Sequence, residues 1–432
     1  MIVVAIEGRT AGTLTRTRSG VRFEYDDTYR STDGATPVSV SMPTQVRTHT
    51  DSRVGPWLRG LLPDDPAVLE RWARHFRVRA GSSFELLATP VGEDCAGAIQ
   101  FASAERIDAV LARPGSIDWL DEAAVAGKLR DLRSDSSSWL GVDFTGQWSL
   151  AGAQAKTALR LEGGRWGEPG GAAATTHVLK PAIAGLDDHD LNEHLCLTAA
   201  RAAGLPAVLT RIERFEDQSA VVVERFDRAW RDGALLRIHQ EDLCQALNIA
   251  PDQKYEADGG PDAAQIVELF REVMPSEVAA ASTARFVDAL AWNWIVAGTD
   301  AHAKNYSLLL RGDQVRLAPL YDVASALAYP DMYVPKLKLA MKLGGEYQLN
   351  AHGHRNWQRL ANQLSLEPEV VVERVRELAG RAPDALADAA ADIDVHRIES
   401  PLPDRLVDAV ALRAKHCRTM LDAGAVDPEP VR

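Results

Sequence analysis

A hairpin with polar ends limits the possible folds of this chain more than any other segment. Residues 306 to 322 read YSLLL, RGDQ and VRLAPLYD, two strand-like runs around a Gly-Asp turn. GTDAHAKN (298–305) stands immediately before it, and its second strand ends at Asp322. A strand, a tight turn and a returning strand bring both ends of the segment back together. Asn305 and Asp322 are therefore expected to converge, with Asp300 five residues upstream of Asn305. The preceding apolar stretch, FVDALAWNWIVA, has the character of a buried element that would anchor the loop. Asp and Asn are also ordinary loop and cap residues, and the loop alone does not choose between a cap and a catalytic role.

The rest of the chain supplies the parts of a phosphoryl-transfer site in the order in which kinases use them: backbone donors for the phosphates, a cation, metal ligands and a carboxylate near the acceptor hydroxyl. In SLAGAQAK (149–156), Ala151, Gly152, Ala153, Gln154, Ala155 and Lys156 form a candidate phosphate loop whose small residues permit close backbone approach. It matches neither the Walker pattern nor the usual glycine triplet, and taken alone it reads better as an ordinary hairpin turn. Lys180 ends the strand-like THVLK, and Glu193 comes early in a predicted helix, the spacing of a strand Lys and its helical Glu partner. VVVERF (221–226) ends a buried-looking strand, so the main chain of Glu224, Arg225 and Phe226 is a candidate adenine site. In this reading Asp300 receives the hydroxyl proton and Asn305 and Asp322 hold magnesium. His302 is either a catalytic-loop contact or a structural hydrogen-bonding group. Tyr321, beside Asp322, joins the nucleotide-binding set.

Bulk properties exclude several classes. At 432 residues the chain is too long for one small core, and two or three domains are expected. Apolar runs such as VDALAWNWIVAG are broken before the roughly 20 residues of a membrane span, and no basic segment with an apolar core precedes MIVVAIEG. A cytoplasmic protein with no membrane contact is expected. Cys95, Cys196, Cys244 and Cys417 are scattered, without zinc spacing, and read as buried thiols. A net charge of −13 argues against gripping nucleic acid through a general field, so RTRSGVR and LRAKHCR are read as solvated faces.

The expected fold class is α+β: a bilobal, protein-kinase-like fold with a small β-rich N-terminal subdomain and a mostly α-helical C-terminal lobe. Its expected parts are an α+β subdomain over 1–105, a charged helical connector over 106–144, a β-rich ATP-binding part over 145–227, and a helical lobe over 228–432. Within the last, only the region of the loop and hairpin departs from helix. The closing VDPEPVR reads as a frayed tail.

The stretches SLAGAQAKTAL, THVLKP, NEHLCLTAARAAGL, VVVERFDR, HQEDLCQAL, KYEADGGPD, GTDAHAKN and PLYDVASAL resemble the blocks of the HipA family, the serine/threonine-kinase toxins of bacterial toxin–antitoxin pairs. SVSMP, LRGLLPDDP and CAGAIQF resemble that family's N-terminal subdomain, so the likeness covers nearly the whole chain. It implies ATP and magnesium as cofactors, the same site residues in the same roles, and Ser149 as a regulatory autophosphorylation site. It further implies a small helix-turn-helix antitoxin as partner, operator DNA bound mainly through that antitoxin, and a protein substrate, the family's known targets including aminoacyl-tRNA synthetases. There are two departures from the family pattern: the loop reads AGAQAK where the best-known sequence places Glu before the Lys, and Ala301 stands where Gly is usual. The second departure asks whether the backbone at 301 needs positive φ, which Ala would resist. A small-molecule kinase and a catalytically idle co-repressor subunit remain as other readings.

Overall fold

The structure is a computed structural model that describes residues 1–112, 115–171 and 173–423; the tail VDPEPVR lies outside the described residues. The chain forms two compact units, each assembled from separated stretches. One comprises Met1–Ala184, Glu213–Gln253 and Ser307–Ala318, and the other Gly185–Ile212, Lys254–Tyr306 and Pro319–Arg432.

The first unit opens with strands β1 (Ile2–Ile6), β2 (Arg9–Thr17), β3 (Gly20–Tyr25), β4 (Thr48–His49) and β5 (Ile99–Ser103), an antiparallel sheet in the order β4-β3-β2-β1-β5. Strand β1 reads IVVAI without alternation because both its faces are covered. Ile2, Val4 and Ile6 join the main core with Trp57 and Phe101, while Val3 and Ala5 meet Ile107 and Val110. The helix Pro66–Phe76 starts as its sequence dictates, with the Asp65 side chain accepting from the Ala67 N–H and Pro66 in the first turn.

A second sheet is built of β6 (Ser116–Trp119), β7 (Thr157–Glu162), β8 (Arg165–Gly170), β9 (His177–Lys180), β10 (Thr210–Phe215) and β11 (Gln218–Glu224), in the order β10-β11-β9-β7-β8-β6. Beyond Asp227 the chain does not turn helical at once, contrary to the expectation from sequence. It forms β12 (Arg228–Arg231) and β13 (Ala234–Arg237), a hairpin closed by Asp232 and Gly233, both with positive φ (51° and 77°). Asp-Gly between two short runs is the strongest short-range hairpin signal, and it outweighs the helical character of the residues beyond. Strand β14 (His239–Asp242) then pairs with β15 (Ser307–Arg311), which pairs with β16 (Gln314–Leu317) around a two-residue turn at Gly312-Asp313. A hairpin thus forms, but over Ser307–Leu317: its second strand ends at Leu317 rather than at Asp322, and β14 completes a three-stranded sheet with it.

Strand β14 carries a buried acid that makes stability depend on pH. The Glu241 carboxylate accepts from the Val40 N–H (2.7 Å), while its second oxygen is buried without a partner. Burial pushes its pKa up to about 8. The folded protein therefore holds this proton between about pH 4.5 and 8, where the unfolded chain has released it, and stability falls as pH rises through that window. Glu241→Gln is expected to flatten this dependence and to raise the melting temperature at pH 8, by an amount corresponding to a few kcal/mol at most. Thermal melts of both proteins from about pH 5 to 9 check it; parallel curves would refute it.

The second unit is mainly helical: His189–Ala202, Ala263–Val273, Ser276–Val296, His354–Gln363, Pro368–Ala390 and Leu402–Asp422, with a short hairpin of β17 (Lys338–Leu343) and β18 (Glu346–Gln348). Leu191, Leu195 and Ala199 face its core as helical spacing predicts, but Asn192, Glu193 and His194 are buried as well. This helix packs on both Pro368–Ala390 and Leu402–Asp422, so almost none of its circumference meets solvent. Arg413, in the basic run expected to be a solvated face, is also buried. Its guanidinium donates to the Leu349 carbonyl (2.9 Å) and lies over the Trp294 ring. Among the described residues, no helix is long and apolar enough to cross a membrane, and all four cysteines are buried.

Candidate active site

In the first unit, the candidate phosphate loop runs from Ser149 into β7, which begins at Thr157. Gly152 has φ of +102°, a conformation that residues with a Cβ rarely adopt, which is why glycine stands there. Lys156 donates to the Ala151 carbonyl (2.8 Å) and sits 4.2 Å above the Trp139 ring, which draws the loop closed on itself. The Gly152 carbonyl accepts from the Asp64 N–H (2.9 Å), while the Gln154 amide nitrogen is buried without a partner. A glycine-permitted curve with an unsatisfied amide donor suits an anion, so the loop fits a phosphate chain. Ala153 is exposed; Ala151 and Ala155 are half-buried.

Ser149 is fully buried. Its hydroxyl donates to the Leu61 carbonyl (2.7 Å) and its N–H to the Asp94 carbonyl (3.0 Å). Lys180 ends β9 and is buried. Glu224 ends β11 and is exposed, and the Arg225 N–H donates to the Thr176 carbonyl (2.9 Å). The Arg225 guanidinium grips Asp227 through two bonds (2.9 and 2.6 Å) and also reaches Thr175 Oγ1 and the Cys95 carbonyl, so the Arg225 side chain is committed to the interior.

Around Arg225 lies an ion cluster that sequence spacing did not reveal. Asp94 accepts from Arg228 (2.8 Å), Arg237 (3.1 Å) and both the N–H and hydroxyl of Thr175, and Arg228 also pairs with Asp227 (3.0 Å). Burial acts to raise the Asp94 pKa, but the neighbouring guanidiniums overcome it and hold the carboxyl far below its ordinary value. Because Asp94 also receives the Ser149 N–H through its carbonyl, one residue anchors both the start of the phosphate loop and the strand exit at 224–228. Among these residues, only the doublet of Arg225 and Arg228 flanking Asp227 in ERFDR hinted at the cluster.

In the second unit, helix Ser276–Val296 ends at Ala297 in the left-handed region (φ 55°), and Gly298 comes next because a Cβ there would fall 2.2 Å from Asn293 Oδ1. The loop then closes on itself. The His302 N–H donates to the Asp300 carbonyl (2.8 Å), the Asn305 N–H to the His302 carbonyl (2.9 Å), and Asn305 Nδ2 to the Asp300 carbonyl (2.9 Å). Asn305 Nδ2 is thereby engaged, and its Oδ1 is the atom left for a cation. Ala301 does not adopt positive φ; the left-handed residues of this region are Ala297 and Asp322 (φ 58°), so alanine at 301 costs nothing. A left-handed aspartate is mildly strained, the kind of strain that concentrates at functional positions.

Asp300 and Asp322 are both exposed, whereas His302, Lys304 and Asn305 are buried. Burial lowers the His302 pKa, while Asp300 and Asp322 act to raise it and Lys254 to lower it. The ring stands edge-on to Tyr255 (4.9 Å, 85°), and the Tyr255 hydroxyl donates to Asp300 Oδ1. Tyr321 donates to the Lys304 carbonyl (2.7 Å), so its hydroxyl braces the loop. Among the described residues no group of three His, Cys, Asp or Glu is placed to hold a metal. Magnesium in nucleotide sites uses one or two protein oxygens together with phosphates, and Asn305 with Asp322 fits that donor set. Glu193 is buried in the helix His189–Ala202 and belongs to this unit, and Lys180 to the other. Sequence spacing gave no sign of Asn192, whose side chain donates to the Ser325 carbonyl (2.8 Å) and accepts from its N–H (2.9 Å), tying the helix to the segment after Asp322.

These features define an α+β protein of kinase-like fold with an Asp, Asn, Asp loop region. Residues 2–102 match the HipA N-terminal domain and residues 148–386 the HipA-like C-terminal domain. The chain belongs to the HipA family. A Sinorhizobium fredii protein named as a putative kinase, Y4mE, is 33% identical over 417 residues, covering 95% of this chain and 97% of that protein. The serine/threonine-protein kinase toxin HipA of Shewanella oneidensis is 27% identical over 82% of this chain and 80% of its own length. Among solved structures, the S. oneidensis complex of HipA, HipB and operator DNA matches with a TM-score of 0.83 at 22% identity, covering 99% of this chain and all of that one.

Proposed function

We infer that this chain is an ATP- and magnesium-dependent serine/threonine protein kinase that acts as the toxin of a toxin–antitoxin pair. The observation that carries the reading is the loop 300–305, closed by the Asn305 side-chain amide on the Asp300 carbonyl, with the left-handed Asp322 following the hairpin that begins just after the loop. Asp300 accepts the proton of the acceptor hydroxyl. Asn305 and Asp322 hold the cation, which supplies charge neutralisation at the transferred phosphate. Ala151–Lys156 cradle the phosphates, Lys180 contacts them, and the main chain of Glu224–Phe226 holds adenine. The partner is a helix-turn-helix antitoxin like the HipB of the S. oneidensis complex, which carries most of the operator contact. The substrate is a protein of the translation apparatus, an aminoacyl-tRNA synthetase being the class that family resemblance favours.

Ser149 is the self-inactivation site of this reading. Its hydroxyl is enclosed and bonded to Leu61, so a phosphate carrying about −1.5 to −2 charges cannot occupy that place. Phosphorylation requires residues 149–156 to leave their seat. Intact-mass spectrometry of the protein with magnesium and ATP is expected to show one added phosphate, mapped to Ser149. The phosphorylated form should bind an ATP analogue at least about tenfold more weakly (~1.4 kcal/mol). Equal affinity would remove the inactivation reading. An unmodified protein that neither gains phosphate nor binds ATP would favour the co-repressor reading.

A further inference from the structure

We propose that Tyr255 is the positioning residue of the candidate active site, holding one oxygen of Asp300 so that the other is presented to the acceptor hydroxyl. This rests on the reading of Asp300 as the proton acceptor. The Tyr255 hydroxyl donates to Asp300 Oδ1 across 45 residues of sequence. Asp300 is exposed, and its own loop bonds it only through its carbonyl, to the His302 N–H and the Asn305 amide. Among the described hydrogen bonds, the tyrosine is what fixes the carboxylate rather than the backbone. A carboxylate has two oxygens and several acceptor sites, so one oxygen can be held while the other receives a proton.

Two further contacts make the arrangement rigid. The Tyr255 ring stands edge-on to the buried His302 ring at 4.9 Å, and the Lys254 carbonyl accepts from the Ala303 N–H (3.2 Å). Residues 254 and 255 therefore grip the loop by main chain, by ring and by hydroxyl. Only the hydroxyl contact touches a group in the proposed chemistry. Holding a reacting group within a fraction of an ångström of its working position is what orientation contributes to rate, and misplacement by about 1 Å can cost on the order of a hundredfold.

The test is Tyr255→Phe, which keeps the ring against His302 and removes the hydroxyl. ADP production at varied magnesium–ATP is expected to show kcat lowered on the order of ten- to a hundredfold with KM for ATP within about twofold and the melting temperature unchanged. In an Asp300→Asn background the same substitution should have no further effect, because the hydroxyl acts through that carboxylate; independent losses that multiply would mark a merely structural role. An unchanged kcat in Tyr255→Phe overturns the proposal while leaving the kinase reading intact. A raised kcat also overturns it and makes the hydroxyl an occupant that substrate must displace. A wild-type protein that produces no ADP at all overturns the proposal together with the reading of Asp300.

Discussion

Asp300→Asn is expected to lower phosphoryl transfer by roughly 10²–10⁴-fold, the range for loss of a positioned general base, without weakening ATP binding. The substituted amide is nearly the same size and can still receive the Tyr255 hydroxyl on its oxygen. The loop itself is held through main-chain bonds from the Asp300 carbonyl, which the substitution leaves in place. Loss of rate without loss of fold is therefore the prediction. ADP release and binding of a fluorescent ATP analogue, measured on the same preparations, decide it. A rate within a few-fold of wild type would remove Asp300 from the mechanism and return the loop to the capping role that its residue types also allow.

The second large effect is on stability. Asp94→Asn leaves the buried guanidiniums of Arg225 and Arg228 sharing the single carboxylate of Asp227 among their described ion pairs, at a place with almost no solvent to absorb the excess charge. Breaking a buried pair by removing one partner typically costs about 3–5 kcal/mol. Because the Asp94 carboxyl is held far below its usual pKa, its contribution is present above the unfolded value near 4 and is lost only as pH falls through the depressed folded value. The variant should thus be destabilised across the whole neutral range. Denaturant unfolding at pH 7 measures the cost, and limited proteolysis should find the segments around Ser149 and 224–228 cut first. A variant as stable as wild type would mean that the cluster is compensated by water and does not anchor these segments.

Features governed by local rules are legible in the sequence. The hairpin Ser307–Leu317 is one, because two short apolar runs around a Gly-Asp turn act over a few positions and fix which residues flank the turn. The helix Pro66–Phe76 is another, announced by Asp65 and Pro66 alone. The hairpin β12–β13 carries its own signal in Asp232-Gly233, but the helix-rich composition beyond it masks so short an element. Arg413 is hidden for a different reason: a basic run on a helix does not say which of its members points inward, and that is settled by the Leu349 carbonyl it meets.

Ser149, Asp94 and Tyr255 belong to another category. Ser149 can be named as a residue, but its burial depends on Leu61, 88 positions away. The Asp94 cluster joins side chains as much as 143 positions apart, and Tyr255 reaches Asp300 across 45. The hairpin, the order of the acidic and amide residues around it and the family likeness are all properties of spacing along the chain, and the amino-acid order is enough to set them. Which of those groups are enclosed, which are paired and which face solvent was settled only on folding, because charge burial and hydrogen bonding depend on neighbours that are distant until the chain brings them together.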